Sequence, residues 1–202
     1  ADDVIELPLG GDTYTVAEFR LYLSDELTTV RGVYAYLDPY LEDSRDIVHD
    51  PALQSLCDAS SFGLMGARLD SRFMSTGIGE AVLRALADFA LASAHPELSQ
   101  SVLFFDGWSW GGQFAYHFTV WRPDRVLGFI TQKGGYHDTG FAGDAIFVPG
   151  YLVIGENDLQ YRIDNLTGIF EEHRPLGARW LLAMQPDAGH GRVTDRGLLD
   201  PF

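Results

Sequence analysis

The sequence predicts an α/β architecture: a mostly parallel central sheet with helices on both faces, compact and without a lid. Short, continuously apolar runs recur, as in Val102-Leu103-Phe104-Phe105, and such runs mark strands buried on both faces. Between them lie stretches with helical spacing, as at Val82, Leu83, Leu86, Phe89 and Ala90. Alternation of the two builds βαβ units and hence a parallel sheet. No repeat, low-complexity tract or linker interrupts the 202 residues, so one domain over 1–202 is expected, large enough to bury a core without disulfides.

In chain order, residues 14–23 are rich in aromatic and β-branched types, alternate in part, and read as an outer strand. Residues 32–37 form a short apolar strand that Asp38-Pro39 ends in a turn. Asp50-Pro51 opens a helix, because aspartate caps free amides and proline's fixed φ suits the first helical position. A strand at 62–67 and an amphipathic helix at 79–94 follow. After the strand that begins at Val102, Trp110, Phe114, Phe118 and Trp121 recur at helical spacing. Residues 127–131 form a strand, and Gly134-Gly135-Tyr136-His137-Asp138 reads as a plain turn, with part of a binding wall at 134–137 as the alternative. A strand at 147–154, a helix at 161–174 and a last strand at 180–184 complete the pattern. The connections read as short, and the twelve residues after His190 leave room for one short closing helix.

The formal charge of −15 argues against nucleic acid or an anionic membrane as partner. The single cysteine, Cys57, allows no intrachain disulfide, and no apolar run reaches the ~20 residues of a membrane span. The chain begins Ala1-Asp2-Asp3, which fits a processed signal peptide or a shortened N-terminus alike. A secreted or periplasmic location is the expectation, with the cytoplasm as the alternative. The histidines never flank a helical glutamate at i, i+4, and no G-x-G-x-x-G follows the first strand, so neither metal nor cofactor is expected.

The chemistry concentrates at Gly107-Trp108-Ser109-Trp110-Gly111, where a strand turns abruptly into a helix. A G-x-S-x-G turn in that setting is a nucleophile elbow, with Ser109 held in a strained conformation and exposed above the sheet. A serine hydroxyl needs a base, and the base needs an orienting carboxylate, in the chain order serine, acid, histidine. Asp158 follows directly on a buried strand and is the preferred acid, with Glu156 and Asp164 as alternatives. Of the two later histidines, His173 lies among charges at a helix end and reads as solvated. His190, bracketed by Gly189 and Gly191 after the last strand, is the preferred base. The oxyanion donors expected are the Trp110 amide and, from the loop after residue 37, the Tyr40 amide, with Leu41 as fallback because Pro39 has no N–H. Tyr40, Trp108 and Trp110 are the candidate substrate-binding side chains.

These pieces resemble the α/β-hydrolase superfamily over nearly the whole chain, on Gly107 to Gly112, Gly155-Glu156-Asn157-Asp158 and Ala188-Gly189-His190-Gly191. Within it the chain is similar to compact bacterial serine esterases of the feruloyl esterase, polyhydroxybutyrate depolymerase and polyester hydrolase type. It departs from them in offering Asp38-Pro39-Tyr40-Leu41 where a His-Gly oxyanion loop is common. The resemblance implies a carboxylic-ester hydrolase acting through an acyl-enzyme. Its substrates would be short-chain or aromatic esters, small or polymeric. A serine peptidase of the same fold and a non-catalytic binding relative are the competing readings. The oligomeric state is not legible.

Overall fold

The computed structural model describes residues 4–5 and 11–194. Eight strands form one sheet: β1 (Val4–Ile5), β2 (Ala17–Tyr22), β3 (Gly32–Leu37), β4 (Phe62–Leu69), β5 (Val102–Trp108), β6 (Val126–Gln132), β7 (Gly150–Gly155) and β8 (Trp180–Gln185). Their spatial order is β1-β2-β4-β3-β5-β6-β7-β8. The pairs from β4 to β8 are parallel, whereas β1 and β2 are antiparallel to their neighbours. The expected outer strand is therefore β2, one place inside an edge that β1 supplies.

Four helices connect the parallel strands: α1 (Pro51–Ser60), α2 (Ile78–Ser93), α3 (Trp110–Trp121) and α4 (Gln160–His173). The Asp50 carboxylate accepts from the Ala52 and Leu53 amides at 2.9 Å each, with Pro51 inside the first turn, so the predicted cap forms. Helices α2, α3 and α4 share one large core with the sheet, in which Phe105, Phe114, Phe118, Phe129 and Trp180 are buried. On the opposite face Leu53 and Cys57 of α1 pack against Leu64, and Val193 packs against Ile130, Tyr151 and Val153.

Two expectations need correction. The strand foreseen at 147–154 begins only at Gly150, because residues 143–147 close into a 3₁₀ turn that buries Ala145 and Ile146. The connection from Lys133 to Pro149 is consequently long. A closing helix after His190 would fall largely on residues 195–202, outside the described residues.

The chain steps outward from β3 to β4, then returns and proceeds from β5 to β8 in the other direction. The crossover direction thus reverses between neighbouring strands β3 and β5. In open α/β sheets ligands bind beyond the carboxyl ends of strands at such a switch point. Ser109 follows β5, and Tyr40 lies in the loop after β3.

Candidate active site

Ser109 stands between β5 and α3 with φ 53° and ψ −115°, a conformation that non-glycine residues avoid at a cost on the order of 1–3 kcal/mol. Its amide donates to Gln132 O at 2.7 Å and its carbonyl accepts from the Gln113 amide at 3.2 Å. The neighbouring glycines permit the turn by closeness of backbone. A Cβ on Gly107 would lie 2.3 Å from Gly111 O, and one on Gly111 would lie 2.2 Å from Leu37 O.

Asp158 occupies the turn between β7 and α4, its amide bonded to Gly155 O at 3.1 Å and its side chain only 2% exposed. His190 Nδ1–H donates to Asp158 Oδ2 at 3.0 Å, and Ser109 Oγ–H donates to His190 Nε2 at 2.9 Å. The aspartate acceptor selects the Nδ1–H tautomer, which leaves Nε2 as the acceptor facing the serine. Asp158 Oδ1 accepts from the Leu159 amide at 2.7 Å and from Arg162 at 2.9 Å. Burial pushes the Asp158 carboxyl up, but the hydrogen bonds from His190, Arg162 and Leu159 outweigh it and hold it below its ordinary value. A carboxylate held charged in this way stabilises a positive imidazole.

The alternatives do not meet His190. Glu156 Oε2 accepts from the Asp187 amide at 2.8 Å, which braces the base of the histidine loop, and Asp164 accepts from Gln160 on the exposed side of α4. His173 is corrected outright: it is 0% exposed, donates from Nδ1 to Ile169 O at 2.7 Å and accepts the Ala142 amide on Nε2 at 3.1 Å. Aromatic packing against Phe141 and Trp180 buries it despite the surrounding charges. Nor is the stretch after β6 a plain turn, since His137 is buried and bonded to Thr131 and Asn165.

The Trp110 amide opens α3 and so has no acceptor within the helix. The Leu41 amide is bonded to Leu69 O at 3.2 Å, which removes the fallback donor. The Tyr40 ring meets Trp110 edge-on at 5.7 Å, so the loop after β3 sits against the elbow. Tyr40 is exposed, Trp110 is partly buried, and Trp108 is half-buried with its indole Nε1 donating to His190 O at 2.9 Å.

Three further residues were not foreseen. Lys133, 2% exposed, donates to Gly191 O at 2.6 Å and to Gln185 Oε1 at 2.7 Å. Gln132 Oε1 accepts the Val193 amide at 3.0 Å. Arg162 lies four residues after Asp158, an ion-pair spacing that the sequence does display. The Gln132-Lys133 pair gives only a weak signal, two polar residues closing an apolar strand. Among the described residues no group of three histidine, cysteine or acidic side chains comes together to hold a metal ion, and no helix is long and apolar enough to cross a membrane.

No protein-family model and no curated protein matches the chain. Solved structures do match. A thermostable esterase aligns over 92% of this chain at TM-score 0.71 and 12% identity, and the chain spans 54% of that protein's length. A ferulic acid esterase aligns over 94% of this chain and 91% of its own at TM-score 0.68 and 11% identity. A fluorophosphonate-binding serine hydrolase of Staphylococcus aureus aligns over the same shares at TM-score 0.63 and 9% identity. With the sheet order and elbow above, these likenesses establish the α/β-hydrolase fold.

Proposed function

We propose that this chain is a serine carboxylic-ester hydrolase that works through an acyl-enzyme. The observation that carries the reading is the relay Ser109–His190–Asp158, with bonds of 2.9 and 3.0 Å, on a strained elbow. As Ser109 Oγ attacks the ester carbonyl, His190 Nε2 takes its proton, and Asp158 holds the ring and stabilises the imidazolium. The Trp110 and Tyr40 amides donate to the oxyanion. His190 returns the proton to the departing alcohol, then activates the water that releases the acid. None of these steps calls for a metal or cofactor.

Exposed Tyr40, with the partly exposed rings of Trp108 and Trp110 on either side of Ser109, favours substrates with flat or short acyl groups, because aromatic faces stack on rings and give little cover to a long chain. Short-chain and aromatic esters are the proposed substrates, and polyesters are a candidate that the same surface suits. Hydrolysis of p-nitrophenyl butyrate and palmitate and of a soluble terephthalate diester tests this directly. Ser109→Ala should lower kcat by ~10⁴–10⁶ and abolish labelling by a fluorophosphonate. An unlabelled wild-type protein would leave only a binding scaffold, and preference for palmitate would overturn the substrate assignment.

A further inference from the structure

A cavity of about 650 Å³, walled in part by residues 135–138, contains no member of the Ser109 relay. Its walls are Arg72, Phe73, His117, Trp121, Tyr136 and Asp138. Most of its polar groups are already committed. His117 donates from Nδ1 to Arg72 O at 3.2 Å and accepts the Asp138 amide on Nε2 at 3.1 Å, while burial holds its pKa down and keeps it neutral. Asn165, also on the wall, is bonded to the backbone and ring of His137. Asp138 accepts the Gly140 amide at 3.0 Å.

Arg72 is the exception. Its Nε is covered from solvent and has no hydrogen-bond partner, and the guanidinium forms no ion pair among the described residues. That is unusual in a chain of charge −15, where Arg20, Arg122 and Arg162 each meet a carboxylate within 2.9 Å. Burial lowers the Arg72 pKa, as it does for a cation lacking its counter-charge. The guanidinium is stacked on Phe73, with Cζ 4.5 Å from the ring centroid. Stacking occupies the face of the fork and leaves its in-plane N–H groups to meet a planar anion.

We infer that this cavity binds an aromatic carboxylate, the carboxylate on the Arg72 fork and the ring between Phe73 and Tyr136. Phe73 also stacks on His117 at 5.9 Å and Tyr136 lies against Tyr161 at 5.3 Å, yet the two remain 52% and 63% exposed, so each keeps aromatic surface to offer a ligand. A carboxylate of this kind supplies the planar charge that Arg72 lacks, and its ring covers apolar surface now open to water. The site does not depend on ester hydrolysis at Ser109.

Calorimetric titration with benzoate, with benzamide and acetate as controls, tests the assignment in the wild type and in Ser109→Ala. Benzoate should bind both proteins equally and at least about tenfold more tightly than either control, since a bidentate charged pair and a ring are both required. Arg72→Gln should weaken benzoate about tenfold or more, and Arg72→Lys should restore part of the loss. Phe73→Ala, at an exposed position, should weaken it several-fold with no loss of fold. Equal binding of benzoate and benzamide would overturn the proposal, as would unchanged affinity in both Arg72→Lys and Phe73→Ala. Loss of binding in Ser109→Ala alone would move the ligand to the Ser109 site and equally overturn it.

Discussion

Gly111 is where the elbow touches the loop proposed to supply the second oxyanion donor, and replacing it by alanine perturbs that contact alone. The new Cβ would lie 2.2 Å from Leu37 O and 2.8 Å from Asp38 O, where real contacts stop near 3.0 Å. One partner must retreat by about 0.8 Å. Leu37 is held in register with Gly107 across the β3–β5 ladder, so the displacement passes mainly into residues 38–40. Misplacement of a reacting group by about 1 Å costs about 10²-fold, and loss of one oxyanion donor costs about 10²–10³-fold. Gly111→Ala should therefore lower kcat about 10²-fold, with a stability loss of about 1–3 kcal/mol from overpacking. The assay is kcat and KM on p-nitrophenyl butyrate beside urea unfolding. Gly168→Ala, on α4 with nothing within 4 Å of the new Cβ, is the control. It should leave turnover unchanged and add up to about 1 kcal/mol of stability, because alanine suits a helix better than glycine. A folded Gly111→Ala protein with wild-type kcat would refute the assignment of the 38–40 loop to the oxyanion.

Lys133→Met deletes two hydrogen bonds from a charged donor, each worth about 1.5–3 kcal/mol, while sparing the cost of a buried ammonium. Turnover should fall more than stability, and unchanged kcat would show that the Gly191 carbonyl needs no tether. Trp108→Phe keeps the ring and removes the 2.9 Å bond to His190 O, so kcat should fall while KM stays near wild type. An equal rise in KM would instead make Trp108 a substrate contact. The fold should also be acid-labile through His137, whose pKa burial lowers to about 3 against ~6.5 in the unfolded chain. Below pH 6.5 the unfolded chain takes up a proton that the native site refuses. Stability is full above that pH, and about 2 kcal/mol is lost between pH 7 and pH 5. Urea midpoints across this range should flatten in His137→Gln, and an unchanged slope would discount the residue.

The elements that position Ser109 were legible because each has a local cause. Asp50-Pro51 caps α1 by short-range chemistry, and the aromatic spacing from Trp110 to Trp121 continues unbroken through α3. Asp158 and His190 were legible from their place directly after apolar strands. What escaped depends on the tertiary fold. His173 sits among Glu171, Glu172 and Arg174, so local sequence reads as surface, yet its ring faces Trp180 from a strand that follows it. The late start of the strand at Gly150 was missed because Phe147 and Val148, which end and cap the 3₁₀ turn, are apolar and so extend the apparent strand backward. Leu41 lost its donor role to Leu69, a partner 28 residues away that no local pattern announces.

His190 poses the sharpest physical problem in the site, because Gly189 and Gly191 flank it and give its loop wide backbone freedom. A ring on such a loop would sample many positions, and only one of them joins serine to aspartate. The fold removes that freedom from outside the loop. Trp108 at the end of β5 holds the His190 carbonyl, Lys133 just beyond β6 holds that of Gly191, and Gln132 holds the Val193 amide. Glu156, just beyond β7, holds the Asp187 amide on the other side. Two of the three strand ends that tether the loop, those of β5 and β7, also carry Ser109 and Asp158, and β6 lies between them, so all three relay members are referred to one rigid edge of the sheet. The 2.9 and 3.0 Å bonds then follow from strand register, which is fixed by the buried core, and not from the conformational preference of the loop itself.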